Sequence, residues 1–355
     1  MAQTRKVICV GIIGQGRSGY DIHARHLRTD KRYRIAAVAE LLADRRAQAE
    51  QELGAAAYAD YRDLLKRQDL DLVINTAPSH LHVPISLEAL AAGHNVLCEK
   101  PLARRAAEVD QLVAASQKAG KLLAIFQQSR FAPYFQQVRK VIHSGVLGRI
   151  VMIKVAANGF GRRWDWQTLQ EYNGGNLLNT GPHPLDQALQ LFGPGTPKVF
   201  CLMDRANTFG DAEDHVKLIL TGEGRPTIDL EISSCCAYPL YTYQVYGTRG
   251  GLTGTTTEIK WKHFRPERAP KRELTREPLP GRQYCGEKLP WVEKTWTVPK
   301  SLANTFAHMS RQFYGHFYKT LTEGAPLVIT PEHVRQQIAV IEECHRQNPL
   351  SRLTR

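Results

Sequence analysis

An apolar run at residues 7–13 ends on Gly14-Gln15-Gly16-Arg17-Ser18-Gly19, and an acid, Glu40, closes the next apolar run 21 residues after Gly19. A buried strand that turns at once into a helix over a phosphate needs three glycines. One makes the tight turn, one lets the backbone approach a pyrophosphate, and one allows close helix–strand packing. Gly14, Gly16 and Gly19 stand at those places, and the free N–H groups at the helix start then face the phosphates. Glu40 is placed to accept hydrogen bonds from adenosine ribose hydroxyls and to repel a 2′-phosphate, which favours NAD over NADP. Two alternatives stay open: Glu40 as an ordinary strand-end charge, and Arg45-Arg46 serving a 2′-phosphate.

The same alternation continues through the first third of the chain. Residues 33–39, 72–75, 95–98 and 122–126 read as short buried strands. Between them lie helices at 43–53, 83–92 and 103–119, closed by Gly54, Gly93 and Gly120; Val109, Leu112 and Val113 mark one face of the third. Strands alternating with helices of this length imply βαβ units and a parallel sheet. After Gly148 the texture changes. Residues 151–155, 199–203, 216–220, 227–233 and 241–246 read as strands with few helices between them, and 227–233 alternates as a half-wet sheet does. Phe306, Met309, Phe313, Phe317 and Leu321 then step along one helix. Thr330-Pro331-Glu332 opens a last one whose inner face is Val334, Ile338 and Ile341. The expected fold is an α/β Rossmann domain, a doubly wound parallel sheet, at 1–126. An α+β domain with a large, mostly antiparallel open sheet follows at 127–355.

Several function classes are set aside by composition. The 355 residues carry 47 basic and 34 acidic side chains, a net charge of +13. Twelve of the basic and six of the acidic residues fall in the Pro-interrupted stretch 249–300, read here as a solvated connection rather than a nucleic-acid surface. No apolar run approaches the roughly 20 residues of a membrane span. The polar start Met1-Ala2-Gln3-Thr4-Arg5-Lys6 before an apolar run faintly suggests a signal peptide. However, no small-residue cleavage site precedes the glycines, so a buried first strand and a cytoplasmic location are expected. Seven scattered cysteines, with no CxxC pair and no zinc-like spacing, predict reduced thiols and no metal site.

Further segments carry a resemblance. Asn75-Thr76-Ala77-Pro78-Ser79-His80-Leu81-His82 follows one strand and Glu99-Lys100-Pro101 the next. Then come Gln128-Ser129-Arg130-Phe131 and Gly174-Gly175-Asn176-Leu177-Leu178-Asn179-Thr180-Gly181-Pro182-His183-Pro184-Leu185-Asp186. In this order the set resembles the glucose-fructose oxidoreductase, inositol dehydrogenase and rhizopine-catabolism family (Gfo/Idh/MocA). The resemblance spans nearly the whole chain and is strongest from residue 7 to 193. It implies an NAD(P)-dependent dehydrogenase or reductase acting on a CH–OH group of a sugar, glycoside or cyclitol, in a homodimer or homotetramer. It also implies a cofactor site of Gly14, Gln15, Gly16, Arg17, Ser18, Gly19 and Glu40 with Thr76, Ala77, Pro78, His82, Glu99, Lys100 and Gln128.

By the same resemblance Lys100 sits beside the nicotinamide ribose and the substrate oxygen, and His183 shuttles the hydroxyl proton. A lysine near a positive nicotinamide in a dry cleft has a lowered pKa, which suits acid–base work. Many dehydrogenases of the family carry Asp four residues before the histidine, where this chain has Asn179. An amide can orient His183 or a substrate hydroxyl but cannot take a proton. Asn176 and Asp186 are expected among the substrate contacts, with a structural role for Asp186 equally open. Arg163, Trp164, Asp165 and Trp166 combine aromatic faces with charges, as a polyhydroxylated ring requires; packing against the sheet or a neighbouring subunit is the alternative. Two other functions compete: redox-neutral cleavage of a glycoside through transient oxidation, and a non-catalytic sugar sensor that keeps the cofactor fold.

Overall fold

The computed structural model describes residues 6–279, 281 and 284–353; the signal-like reading of the first residues therefore lies mostly outside the described residues. Six strands form a parallel sheet: β1 (Ile8–Ile13), β2 (Tyr33–Ala39), β3 (Ala56–Tyr58), β4 (Leu72–Asn75), β5 (Asn95–Cys98) and β6 (Leu123–Ile125). Their order is β3-β2-β1-β4-β5-β6, so the chain winds outward on one side of β1 and returns to wind outward on the other. That reversal opens a crevice at the carboxyl ends of β1 and β4, where open α/β sheets bind ligands. β1 and β4 are apolar almost throughout because helices cover both faces of the sheet.

Glycine closes the helices Ala43–Leu53 and Ala106–Ala119 as expected, with Gly54 and Gly120 left-handed at φ 62° and 60°. The second starts three residues later than its composition predicts. Its Glu108 carboxylate accepts the main-chain N–H groups of Arg104 and Arg105, both at 3.0 Å, and so fixes the helix start. The turn after the glycine loop, Ser18–Ala24, has π-helical geometry and runs into Arg25–Leu27.

Eight strands form the second sheet: β7 (Ile150–Asn158), β8 (Lys198–Asp204), β9 (His215–Thr221), β10 (Thr227–Ser233), β11 (Tyr243–Gly247), β12 (Gly250–Gly254), β13 (Glu258–His263) and β14 (Val292–Thr297). The order is β14-β13-β12-β11-β7-β10-β9-β8, antiparallel except where β10 runs parallel to β7. The helix Pro182–Phe192 packs on β7 and β10 through Leu185, Ala188, Leu189 and Phe192. Residues 249–300 are more than a solvated connection: they hold β12, β13 and β14. Glycines in β12 and lysines in β13 and β14 hid the pattern, and of the three only β14 lies at the sheet edge.

Two long helices tie the sheets together. Thr305–Glu323 lies back toward the parallel sheet, where the Tyr318 hydroxyl donates to the Lys6 carbonyl at 2.9 Å. Phe313 and Phe317 are buried as expected, whereas Phe306, near its start, is exposed. Pro331–Gln347 packs on Ala106–Ala119 and on β8, with Val334, Ile338 and Ile341 buried as predicted. Thr330 caps it, its hydroxyl accepting the His333 N–H. Among the described residues no helix is long and apolar enough to cross a membrane. All seven cysteines are free, and no group of three or more His, Cys, Asp or Glu side chains among the described residues could hold a metal ion.

Candidate active site

The glycine loop leaves β1 at Gly14, whose φ is +93° and whose missing Cβ would lie 2.9 Å from the Thr76 carbonyl. At Gly19 a Cβ would meet the Gly14 carbonyl at 1.9 Å, so no side chain fits between helix and strand there. Gly16 instead faces open space, with only the Arg45 guanidinium, at 3.7 Å, near its missing Cβ. Each glycine therefore does what its position requires. Arg17 is exposed at the start of the following turn, with Ser18 beside it. Glu40 accepts the Gln15 N–H at 2.8 Å and the Leu42 N–H at 3.1 Å, which fixes its carboxylate against the loop; Arg45 lies 3.7 Å from it.

The loop after β4 is held from both sides. Thr76 Oγ1 donates toward the carbonyls of Ile13 and Gly14, and Asn75 Oδ1 accepts the Ala77 N–H. Pro78 stands exposed beyond Ala77. His82 is buried with Nδ1 2.6 Å from the Pro101 carbonyl and Nε2 2.9 Å from that of Ala77. It thus ties this loop to the one after β5, where the Lys100–Pro101 peptide is cis. Gln15 Oε1, Gln128 Oε1 and His80 Nδ1 are buried polar atoms without a protein partner. Buried polar groups are normally satisfied, so these atoms, with the open face of Gly16, fit a polar ligand lying over the loops.

Lys100 donates from Nζ to the Asn179 carbonyl at 2.7 Å. Asn179 ends the short helical turn Asn176–Asn179, one turn before His183, so the lysine and the histidine are brought together. Burial pushes the Lys100 pKa down; Glu99 opposes this, while Arg17 and Arg163 add to it. The His183 pKa is pushed down to about 3, by burial first and then by the Lys100 charge. Its imidazole is therefore neutral. Nδ1 lies 3.0 Å from Ser129 Oγ. Ser129 is itself fixed: Gln187 donates to its carbonyl at 2.7 Å, and the Tyr243 hydroxyl donates to Gln187 at 2.6 Å.

Other expected residues fall elsewhere. The Asn179 main-chain carbonyl accepts from Lys100 Nζ, and Ser129 meets the histidine ring. Asn176 is buried, its amide donating to the Asp214 carbonyl and to Ser234 Oγ. Asp186 is buried in a two-pronged ion pair with Arg130, both side chains 3% exposed. Arg163 pairs with Asp165 at 2.6 Å and still reaches Lys100 electrostatically. Trp164 is exposed; Trp166 meets Tyr172 edge-on at 6.1 Å, and Tyr172 meets His80 of the β4 loop at 4.8 Å. Sequence reasoning quoted Ser129 without giving it a task, and missed His23 and Tyr314 behind Glu99. No local pattern marks either, because their partners lie 76 and 291 residues away.

Two family models match this chain. The NAD-binding Rossmann-fold model of the Gfo/Idh/MocA oxidoreductase family covers residues 8–127, and the model of the Gfo/Idh/MocA C-terminal domain covers 135–253. The chain belongs to the Gfo/Idh/MocA oxidoreductase family. Like it is scyllo-inositol 2-dehydrogenase (NADP(+)) IolW of Bacillus subtilis, 26% identical over 348 residues, 95% of this chain and 93% of that protein. Inositol 2-dehydrogenase of Salmonella typhimurium is 34% identical over 166 residues, 46% of this chain and 47% of that protein. Among solved structures, GenD2 from gentamicin A biosynthesis in complex with NAD superposes with a TM-score of 0.77 at 22% identity, over 97% of this chain and 95% of that one. As a member of this family the chain is an NAD(P)-dependent oxidoreductase built on a Rossmann sheet and a mostly antiparallel one.

Proposed function

We propose that the protein oxidises a secondary hydroxyl of a cyclitol, sugar or glycoside with NAD, and that Lys100 and His183 carry the hydroxyl proton. The supporting observation is the meeting of a depressed lysine with a neutral, Ser129-held histidine at the carboxyl ends of the parallel strands. Residues 1–126 hold the dinucleotide and 127–355 hold the substrate. When bound, the nicotinamide supplies the two-electron acceptor for the carbinol hydride. Gly14, Gly16 and Gly19 would cradle its pyrophosphate, Glu40 its adenosine ribose, and Glu99 and Gln128 its nicotinamide end. Lys100 accepts the hydroxyl proton at Nζ, and His183 Nε2 passes it to solvent. Arg163, Asp165, Trp164 and Trp166 border the substrate, while Asn176 and Asp186 shape the frame beneath it. The relatives named as inositol dehydrogenases support the cyclitol class.

A panel of inositols, aldoses and glycosides with NAD or NADP, followed at the nicotinamide absorbance, tests this reading. NADH accumulates in step with product. Product without net NADH identifies redox-neutral cleavage, and cofactor binding without any product identifies a sensor.

Glu40 sets the cofactor preference. Glu40→Ala weakens NAD binding by about 10–100-fold, the value of a hydrogen bond to a charged group, and narrows the gap to NADP. Calorimetric titration with both cofactors checks it; equal affinities in the parent protein contradict it.

The outer face of the second sheet carries Phe200, Leu202 and Tyr246, each exposed by 43–57%. Such a face on an open sheet is normally covered. A homodimer or homotetramer covering it is expected, and sedimentation of a monomer at micromolar concentration rejects that.

A further inference from the structure

The helix Thr305–Glu323 returns from the antiparallel sheet and buries Tyr314 completely. The Tyr314 hydroxyl lies 2.5 Å from Nδ1 of His23, a fully buried residue of the turn after the glycine loop. His23 Nε2 lies 3.2 Å from Oε1 of Glu99, whose Oε2 accepts the Lys100 main-chain N–H at 3.0 Å. A line of buried hydrogen bonds thus runs from a helix near the end of the chain to the residue that carries the amine.

Glu99 is ionised: burial pushes its pKa up, but the His23 bond, the His23 and Lys100 charges and the Lys100 N–H offset this and leave it at about 2. A carboxylate only accepts, so His23 donates from Nε2. Nδ1, on the other side of the ring, meets the Tyr314 hydroxyl. Burial also pushes the Tyr314 pKa well up, so its proton stays in place.

We propose that His23 and Tyr314 are positioning residues for Lys100: they hold the Glu99 carboxylate ionised and fixed against the Lys100 main chain, so that the charge state of the proton carrier is set from the far helix. This rests on the reading of Lys100 given above. The groups facing Lys100 are Glu99, Arg17, Arg163 and His183; Glu99 supports its ammonium form, and the two arginines oppose it. Behind Glu99 and His23 stand Tyr314, His82 and Cys98, with Tyr33 and His26 against the Tyr314 ring. Without its donor, Glu99 in this dry site moves toward the neutral acid. Lys100 then loses that neighbouring negative charge and releases its proton at lower pH.

The test needs neither substrate nor turnover. The whole protein is labelled with acetic anhydride across a pH series, and the extent of Lys100 acetylation is read on its peptide by mass spectrometry. In His23→Phe the midpoint for Lys100 moves down by about 1–3 units, the effect of losing an opposite charge at this range. Glu99→Gln moves it equally. Tyr314→Phe keeps the ring packing and moves it the same way by less, and it adds nothing in the Glu99→Gln background. Tyr314→Phe with that double variant decides the matter if His23→Phe does not fold. A Lys100 midpoint unmoved in folded variants, or a Tyr314→Phe effect undiminished beside Glu99→Gln, overturns the proposal. Failure of the dehydrogenase reading instead shows as absent NADH formation with these midpoints shifted as stated.

Discussion

Alanine at Lys100 lowers kcat by about 100- to 10,000-fold, the range of general acid–base catalysis, with the NAD affinity little changed. Charge state matters here as well as position. Burial pushes the Lys100 pKa below the ordinary lysine value, so more of the amine is free of its proton at any given pH. Alcohol oxidation therefore rises as pH rises through that lowered value. His183, held down to about 3, stays neutral throughout that range and adds no acidic limb of its own near neutrality. Turnover at the nicotinamide absorbance across pH, beside calorimetric NAD titration, checks both parts. Turnover within a few fold of the parent protein makes Lys100 a structural residue.

The second large effect is on stability. Asp186→Ala leaves the Arg130 guanidinium buried without its carboxylate and costs about 3–5 kcal/mol. Both side chains are 3% exposed, so solvent screens the lost charge little. Arg130 keeps only the Val328 carbonyl and His333 as partners. Replacing both partners by apolar residues, Arg130→Met with Asp186→Leu, recovers most of the loss, because the orphaned charge is then gone. Denaturant unfolding of the single and double variants separates the two cases. Since Asp186 sits three residues after His183 on the same helix, the single variant also loses activity before it unfolds.

Five of the six parallel strands were legible because their signals are local: short apolar runs, glycines at helix ends, and three glycines whose spacing answers one backbone geometry; β3, three residues long and half-exposed, was not. The tripeptide Glu99-Lys100-Pro101 and the run to His183 carried the family resemblance for the same reason. What escaped was long-range. Ser129 meets His183 across 54 residues, and no periodicity announces that contact. His23 looks like any helix histidine until Tyr314 is folded against it. Asp186 could be read two ways because an acid at a helix start is favoured whatever it touches; only Arg130, 56 residues back, distinguishes them. The strands β12–β14 were hidden by composition, since charged and glycine-rich strands lack the apolar alternation that marked β10.

Direct transfer of a carbon-bound hydrogen is the central claim, and isotope tracing addresses it most directly. A sugar or cyclitol that supports turnover is supplied with deuterium on the oxidised carbon, and the cofactor and product are analysed by mass spectrometry. The account predicts one deuterium on the reduced nicotinamide for each product molecule, with the yield collapsing in Lys100→Ala. Turnover that leaves the cofactor unlabelled, with the deuterium retained in the product or lost to water, contradicts it.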